Sequence, residues 1–177
     1  MKYLRRIFGL AALVLIAFVA VGILLPGRWS VKRSVTVRVP RDSAFAALRR
    51  VDRWRAWMPW PEGVEALGGA ETAEGAGFRW DDPRYGSGRF ALTETEPPRL
   101  LAYEVTLEGG AARIRGRIRL DRGDAGTRVM WSERGEFGRN PILGYTALFM
   151  EDRQGTQLED VLERLRRDLE GSGSVRR

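Results

Sequence analysis

The sequence of 177 residues contains no cysteine and no histidine. The absence of cysteine excludes disulfide bonds, thiolate-held zinc or iron–sulfur centres and a thiol nucleophile. The absence of histidine excludes the commonest metal ligand, the usual proton shuttle and a serine–histidine hydrolase triad. A chain of this length has room for one modest domain with attachments. We therefore expect no metal site and no cofactor.

The sequence also lacks a large excess of one charge over its main part. The net charge is +7, but Lys2, Arg5 and Arg6 precede the first apolar run. From residue 26 onward there are 27 basic and 23 acidic residues. This mixed balance does not favour nucleic-acid binding, and we expect no nucleic-acid partner.

One long run of the chain contains no charged or strongly polar residue. Residues 7–25 are nineteen positions, thirteen of which are Ile, Leu, Val or Phe. At about 1.5 Å per residue, a helix over this run is about 28 Å long, close to the hydrocarbon thickness of a bilayer. Pro26 and Gly27 end the helix, and Trp29 stands where an interfacial aromatic residue is expected. We expect residues 1–27 to form a single-pass transmembrane anchor that contacts the bilayer through residues 7–25.

A cleaved secretory signal is the alternative interpretation of this run, with Ala20-Val21-Gly22 as a small-residue cleavage site. The length of the run favours the anchor, because the apolar core of a signal usually has about 7–15 residues. Basic residues flank both ends of the run, and a short basic N-terminus usually stays inside. We therefore expect the remaining domain on the extracytoplasmic side, in the periplasm or at the outer face of the membrane.

After a linker over residues 28–33, the pattern predicts a domain over residues 34–170. Residues 34–39 alternate as a strand that Pro40 ends. Two short helices follow, and the second carries Trp54, Trp57 and Trp60 at spacings of three, so that they cluster on one side. Alternating segments punctuated by glycine over residues 64–138 predict an antiparallel meander of strands. A long amphipathic helix begins at Pro141 with Asn140 as its cap, and residues 171–177 form a disordered tail.

One hairpin of the meander has a predicted register. A two-residue turn at Gly109-Gly110 pairs Glu104 with Arg115 and makes the apolar faces of the two strands coincide. The arginines at alternate positions over residues 113–119 then lie beside glutamates on the outer face. We interpret them as a solvated surface, and binding to anionic lipid head groups is the alternative.

A carboxylate shares the inward phase of the last predicted strand. Glu133 follows Trp131 at the strand period, and a carboxyl group in an apolar interior has a raised pKa and can act as an acid, a base or a hydrogen-bond partner. Tyr103 is expected near it across Gly116, and Tyr145 is expected to approach from the long helix. A bulge or strand end near residue 132 that turns Glu133 outward is the alternative.

The order of these pieces resembles the SRPBCC superfamily, the START-like helix-grip domains that include the polyketide cyclase/dehydrase and lipid transport proteins. The matching segments are VTVRVP (35–40), WRAWMPW (54–60), GSG (86–88), ETEPP (94–98), TRVMW (127–131) and LEDVLERL (158–165). The resemblance covers residues 32–170. It implies an α+β fold in which a curved antiparallel sheet wraps around the long C-terminal helix, with one transmembrane helix in front.

The resemblance also implies a deep, mostly apolar cavity for lipids, sterols, polyketides or other hydrophobic molecules. Enzymes of the superfamily often place histidine there, and this chain has none. We therefore predict a membrane-tethered binding protein for a hydrophobic small molecule or lipid. The alternatives are a small cyclase or dehydratase that uses Glu133 and Tyr103 as acid–base groups, and an interaction module that acts through the outer face. The predicted ligand-binding residues are Trp57, Trp60, Phe78, Trp80, Phe90, Tyr103, Val105, Ile114, Trp131, Glu133, Tyr145 and Phe149.

Overall fold

One antiparallel sheet and one long helix carry the fold. The computed structural model describes residues 2–61, 63–67, 74–84, 86–107, 112–137 and 141–174. Within these ranges the elements are α1 (Lys2–Leu24), β1 (Arg28–Val37), α2 (Arg41–Leu48), a 3₁₀ helix (Val51–Ala56), β2 (Glu65–Ala66), β3 (Gly77–Asp82), β4 (Gly86–Glu96), β5 (Leu100–Leu107), β6 (Ala112–Gly123), β7 (Gly126–Phe137) and α3 (Pro141–Ser174).

The strands of the described residues form a single sheet in the order β1-β7-β6-β5-β4-β3-β2. All neighbouring pairs are antiparallel. The second half of α3 packs on the sheet, chiefly on β1, through an apolar stripe that is buried. Its members are Leu158, Val161, Leu162, Leu165 and Leu169. This arrangement confirms the predicted α+β helix-grip fold with an apolar helix in front of it.

The predicted hairpin register is confirmed. β5 and β6 pair Glu104 with Arg115 and Thr106 with Arg113, as the two-residue turn requires. The turn itself, over residues 108–111, lies outside the described residues. On the outer face Arg113 and Arg115 both form ion pairs with Glu104, at 3.8 and 3.2 Å. These contacts support the interpretation of the arginine row as a solvated, charge-balanced surface.

The first strand is longer than predicted. Residues 28–33, expected as a linker, pair with β7 from Arg28 opposite Glu136 to Arg33 opposite Trp131. Charged Lys32 and Arg33 interrupt the alternation of apolar residues, so the pattern did not predict that residues 28–33 belong to the strand. Trp29 is 6% exposed, so its prediction as an interfacial aromatic residue is wrong. The domain therefore begins directly after the end of α1.

The long helix also differs from prediction at its C-terminal end. It begins at Pro141 as predicted, and it runs without interruption through Ser174, so residues 171–174 are helical instead of part of a tail. Glycine costs only about 1 kcal/mol in a helix, which one added turn tolerates. Asn140 and residues 175–177 lie outside the described residues. In the middle of the helix Gly155 makes room for the guanidinium of Arg33, which binds Glu159 at 2.5 Å.

The space between the sheet and the helices is filled by aromatic rings. The rings of Trp57, Phe90, Tyr103 and Trp131 surround Trp54 at centroid distances between 5.0 and 5.8 Å. The buried indole N–H of Trp54 donates to the carbonyl oxygen of Leu48 at 2.7 Å, which fixes the 3₁₀ helix on α2. In the described part of the chain, large rings from alternating positions of β4, β5 and β7 therefore occupy the inner face where the resemblance implies a deep cavity.

Candidate functional site

A buried carboxyl group lies on the inner face of the sheet. Tyr103, Gly116, Glu133 and Val31 are direct neighbours across β5, β6, β7 and β1. Glu133 is 9% exposed, so it faces inward and the alternative of an outward-turning bulge is wrong. The alternation of β7 from Thr127 to Gly135 continues without a register shift, which explains this orientation.

Glu133 ends a chain of hydrogen bonds. The indole N–H of Trp131 donates to the hydroxyl oxygen of Tyr103 at 3.0 Å. The hydroxyl of Tyr103 donates in turn to Oε1 of Glu133 in a short contact. An indole nitrogen is only a donor, so the Tyr103 hydroxyl must direct its own proton toward the carboxyl group. The sequence predicted that Tyr103 and Glu133 meet across Gly116, and the structure confirms that they do.

The position of the Tyr103 ring depends on the missing side chain at Gly116. A Cβ atom at residue 116 would overlap this ring. The same arrangement occurs where the Trp29 ring covers Gly135 and where the Trp80 ring covers Gly88. In all three cases the glycine and the aromatic residue are direct cross-strand partners. Glycine within a strand is costly without such packing, so mid-strand glycines are the sequence signal that marks these contacts.

Burial dominates the titration of the two groups. It raises the pKa of the Glu133 carboxyl above its ordinary value, and the hydrogen-bond donors Tyr103 and Trp131 oppose this effect. It also raises the pKa of the Tyr103 phenol well above its ordinary value, and the adjacent Glu133 adds to the rise. The pair therefore holds protons more tightly than the same groups in water. Within the described part of the chain, no group of three or more acidic side chains is placed to hold a metal ion.

One end of the inner face is incompletely covered by other elements. Val105 and Ile114 are the next inward-facing residues after Tyr103 and Gly116 on β5 and β6. Leu107 and Phe137 lie in the next inward-facing row. All four side chains are half-buried, whereas the row around Trp131 is fully buried. This end of the sheet adjoins α1, since the N–H of Phe137 donates to the carbonyl oxygen of Gly27 at 2.7 Å. The apolar helix therefore enters beside a half-covered part of the interior.

Two tryptophans bring unused donors to the opposite side of the interior. The Trp60 ring lies 6.3 Å from the Trp80 ring and 5.3 Å from the Phe90 ring. The indole nitrogens of Trp60 and Trp80 are both buried, and neither has a hydrogen-bond partner among the described residues. A buried N–H without a partner costs free energy, so both donors are available to an acceptor atom on a ligand.

The inner face brings together ten of the twelve predicted site residues. They are Trp57, Trp60, Phe78, Trp80, Phe90, Tyr103, Val105, Ile114, Trp131 and Glu133. The predicted approach of Tyr145 to Glu133 is wrong, because the Tyr145 ring stacks on Phe18 of α1. Phe149 is 67% exposed and so does not line the interior. Both differences arise because the first turns of α3 pack against α1 and not over the sheet.

A depression of about 980 Å³ is lined mainly by polar residues of the outer face. They include Arg113, Arg115, Arg117 and Arg119 of β6 and Arg134 of β7. The depression is also bordered by the inward-phase residues Val31, Arg33, Tyr103, Gly116 and Glu133 and by Glu151 of α3. It is therefore polar, and it adjoins the Tyr103–Glu133 pair.

Comparison with known proteins supplies the family. Residues 28–170 match the polyketide cyclase/dehydrase and lipid transport family, which is nearly all of the chain beyond α1. The chain belongs to this family. The match begins at the first residue of β1 and ends in the last turns of α3, so it covers the sheet, the aromatic interior and the Tyr103–Glu133 pair. No curated protein matches the chain.

Solved structures of other proteins share the fold at low identity. A hypothetical protein from Helicobacter pylori has a TM-score of 0.60 and 13% identity over 77% of this chain and 84% of its own. The di-domain ARO/CYC StfQ from the steffimycin biosynthetic pathway has a TM-score of 0.62 and 13% identity over 83% of this chain and 52% of its own. The Aha1 dimer from Colwellia psychrerythraea has a TM-score of 0.55 and 15% identity over 80% and 96%. These likenesses establish the fold.

Proposed function

We propose that the protein is a membrane-tethered binder of a hydrophobic small molecule or lipid, held on the inner face of the sheet near α1. The observation that carries the proposal is the half-covered apolar patch formed by Val105, Leu107, Ile114 and Phe137 at the end of the sheet where α1 enters. Partly exposed apolar side chains that adjoin a packed interior are typical of ligand sites. A ligand that covered them would complete the burial that the described residues leave unfinished.

Glu133 and Tyr103 supply a polar anchor point beside this patch. Burial excludes water from the Glu133 carboxyl and raises its pKa. A hydroxyl, carbonyl or acid group of a ligand can therefore form the hydrogen bond that water would otherwise form. Tyr103 holds the carboxyl in place from the fully buried side. We therefore expect a ligand with a long apolar body and one polar group.

The tether is α1. It is long and apolar enough to cross a bilayer, and 6% of its most apolar stretch is buried in the protein. Exposed large apolar side chains along a whole helix are unfavourable in water, which supports a lipid environment. A signal sequence near the N-terminus passes the same test of length and composition, so the mass of the mature protein decides between them. We expect purification from membranes to yield a chain that retains residues 7–25, and a chain that begins after Gly22 would contradict the tether.

Orientation is tested separately. Lys2, Arg5 and Arg6 precede α1, and a short basic N-terminus favours export of the domain to the extracytoplasmic side. We expect a reporter fused to the C-terminus to be active only if it functions outside the cytoplasm. Activity of a cytoplasm-specific reporter would contradict this orientation.

The binding proposal is tested on the full chain extracted from membranes in mild detergent. We expect mass spectrometry of the purified protein to detect a co-purifying lipid or other apolar molecule at near-stoichiometric amounts. In the Ile114→Trp variant a large ring fills the patch, and the molecule should be lost. Met130→Trp, which adds the same ring to the outer face, is the matched control and should retain it. Equal occupancy in both variants, or none in the wild type, would refute the proposal.

A second candidate function is a small cyclase or dehydratase, and the Tyr103–Glu133 hydrogen bond is the observation that favours it. A carboxyl group with a raised pKa is suited to donate or accept a proton in an enolisation or a loss of water. If this chemistry occurs, the Glu133→Gln variant should retain a bound molecule that differs from the wild-type molecule by one water or by an unclosed ring. Identical bound molecules in the two proteins would leave binding as the function.

A further inference from the structure

We propose that residues 141–150 of α3 form a second membrane contact, lying in the interface of the bilayer that α1 crosses. The proposal rests on the tether proposed above and adds a surface on the domain itself. We infer that lipid covers this surface. The half-covered end of the interior then opens at the bilayer surface.

The first observation is that this segment lies at the level of the end of α1. The Tyr145 ring stacks on the Phe18 ring at 4.5 Å, and the Tyr145 hydroxyl donates to the carbonyl oxygen of Phe18 at 2.8 Å. Gly22 and Gly144 approach so closely that a side chain on either would overlap the other helix. Small residues that allow backbones to touch are typical of helices packed within membranes. Phe18 and Gly22 both belong to the apolar run, within about 10 Å of its C-terminal end.

The second observation is an exposed apolar surface on the same turns. Ile142, Leu148 and Phe149 are 64%, 56% and 67% exposed. Ile142 and Phe149 are seven residues apart and so share one face of the helix. No charged residue occurs from Pro141 to Met150 in the sequence. The next three residues, 151–153, are Glu, Asp and Arg, and all three are exposed. The change from apolar to charged side chains marks where the helix leaves the apolar medium.

Continuity with α1 identifies lipid as the occupant. Phe18 and Val21 of α1 are 45% and 47% exposed. Phe18 contacts Tyr145, and Leu148 and Phe149 follow Tyr145 within about one turn of α3. We infer that the medium around the last two turns of α1 also reaches Leu148 and Phe149. An amphipathic helix in the interface buries its apolar face about 5–10 Å deep, which agrees with the level of the Gly22–Gly144 contact.

The consequence concerns ligand entry. Met150 directly follows Phe149 and packs against the apolar core, as Ile114 and Val105 do from the sheet. The helix thus passes from the exposed apolar surface to the core within one turn. A lipid molecule could pass between the two without crossing water, which removes the main cost of extracting it.

The cysteine-free chain allows a direct test with single labelled cysteines. Phe149→Cys probes the proposed contact, Leu13→Cys probes the middle of α1, and Arg115→Cys on the outer face is the water-exposed control. Each full-length variant is labelled with a fluorophore and reconstituted into phosphatidylcholine vesicles. Quenching by lipids with brominated acyl chains is compared with quenching by aqueous iodide. Leu148→Cys provides a second probe if the variant at 149 does not fold.

We expect brominated lipid to reduce the fluorescence at positions 149 and 13 by about twofold or more, and iodide to quench only position 115. If position 13 contacts lipid but position 149 is quenched by iodide, the proposal is overturned and the tether stands. If position 149 is protected from both quenchers, another protein copy covers the surface and the proposal is overturned. If iodide quenches position 13 as well, the tether itself has failed.

Discussion

At the scale of single residues, the distinctive chemistry of the molecule belongs to Glu133 and Tyr103. Removal of a carboxyl group from water disfavours its charged form, and one hydrogen bond from Tyr103 compensates only part of that cost. The ionised carboxyl of Glu133 is therefore less stable in the native fold than in the unfolded chain. A site that tolerates such a cost is typical of function, because packing alone would favour an apolar residue at this position.

This cost makes a prediction about pH. Below the ordinary Glu pKa of 4.5, residue 133 is protonated in both states. As pH rises above that value the unfolded chain loses the proton while the folded protein retains it, so the free energy of unfolding falls until the folded pKa is passed. Glu133→Gln removes the effect. We expect the stability of this variant relative to wild type to increase between pH 4 and pH 8, by about 1.4 kcal/mol for each pKa unit of the shift.

Urea unfolding at a series of pH values measures this difference. Glu136→Gln is the matched control, because Glu136 lies on the same strand with its side chain half-exposed at 51%. The stability difference should rise with pH more steeply for Glu133→Gln than for this control. A flat difference for Glu133→Gln would mean that the carboxyl is solvated in the folded protein.

A second prediction at the residue scale concerns the glycine beneath Tyr103. Gly116→Ala places a methyl group where the Tyr103 ring lies, so the ring must move and its hydrogen bond with Glu133 must break. We expect a loss of about 1–3 kcal/mol in the free energy of unfolding, measured with urea. Gly123→Ala on the same strand, whose added Cβ finds its nearest neighbour at 3.8 Å, should change stability by less than about 0.5 kcal/mol. Equal effects would contradict the packing of Tyr103 on Gly116.

At the scale of elements, the structure depends on where glycines allow two backbones or a backbone and a ring to meet. Alternation and turn length predict the β5–β6 register, because the register follows from a period of two. The same period places Glu133 on the inward phase, but it leaves open a bulge near residue 132 that would turn the side chain outward. Alternation and turn length could not predict the strand over residues 28–33, because Arg33 interrupts the apolar phase of Trp29, Val31 and Val35 and pairs with Glu159 of α3. They also could not predict that Tyr145 packs on Phe18, because a contact between α1 and α3 has no local periodicity.

The crossing of α1 and α3 makes a prediction at this scale. Gly144→Val inserts a side chain against the Gly22 carbonyl, so the two helices must separate. We expect hydrogen exchange at residues 141–146 to become faster while exchange in β6 is unchanged, since β6 does not depend on this contact. Gly9→Val, at a glycine of α1 with no atom near its added Cβ, is the control and should change neither region. Unchanged exchange at residues 141–146 in Gly144→Val would show that the crossing does not form in the membrane.

At the scale of the whole molecule, the fold orients one half-covered end of an aromatic interior toward an apolar helix. The family resemblance implies a spacious cavity, yet the rings around Trp54 fill most of the interior. The sequence could not predict this filling. Alternation shows which face of the sheet a side chain is on, but it does not show how much volume the side chains leave unfilled. What remains uncovered is the end beside α1. Arg113, Arg115 and Arg117 of β6 lie on the outer face, where they pair with glutamates. The inner and outer faces of β6 thus meet different media.

Contact of the inner face of β6 with an apolar molecule is measured most directly by comparing two neighbouring positions on this strand. A photoactivatable diazirine residue replaces Ile114, which points inward at the α1 end, or Arg115, which points outward. The full chain is irradiated in native membranes and its adducts are identified by mass. We predict lipid or other apolar adducts at position 114 and none at position 115. Adducts at both positions to the same extent, or at neither, would contradict it.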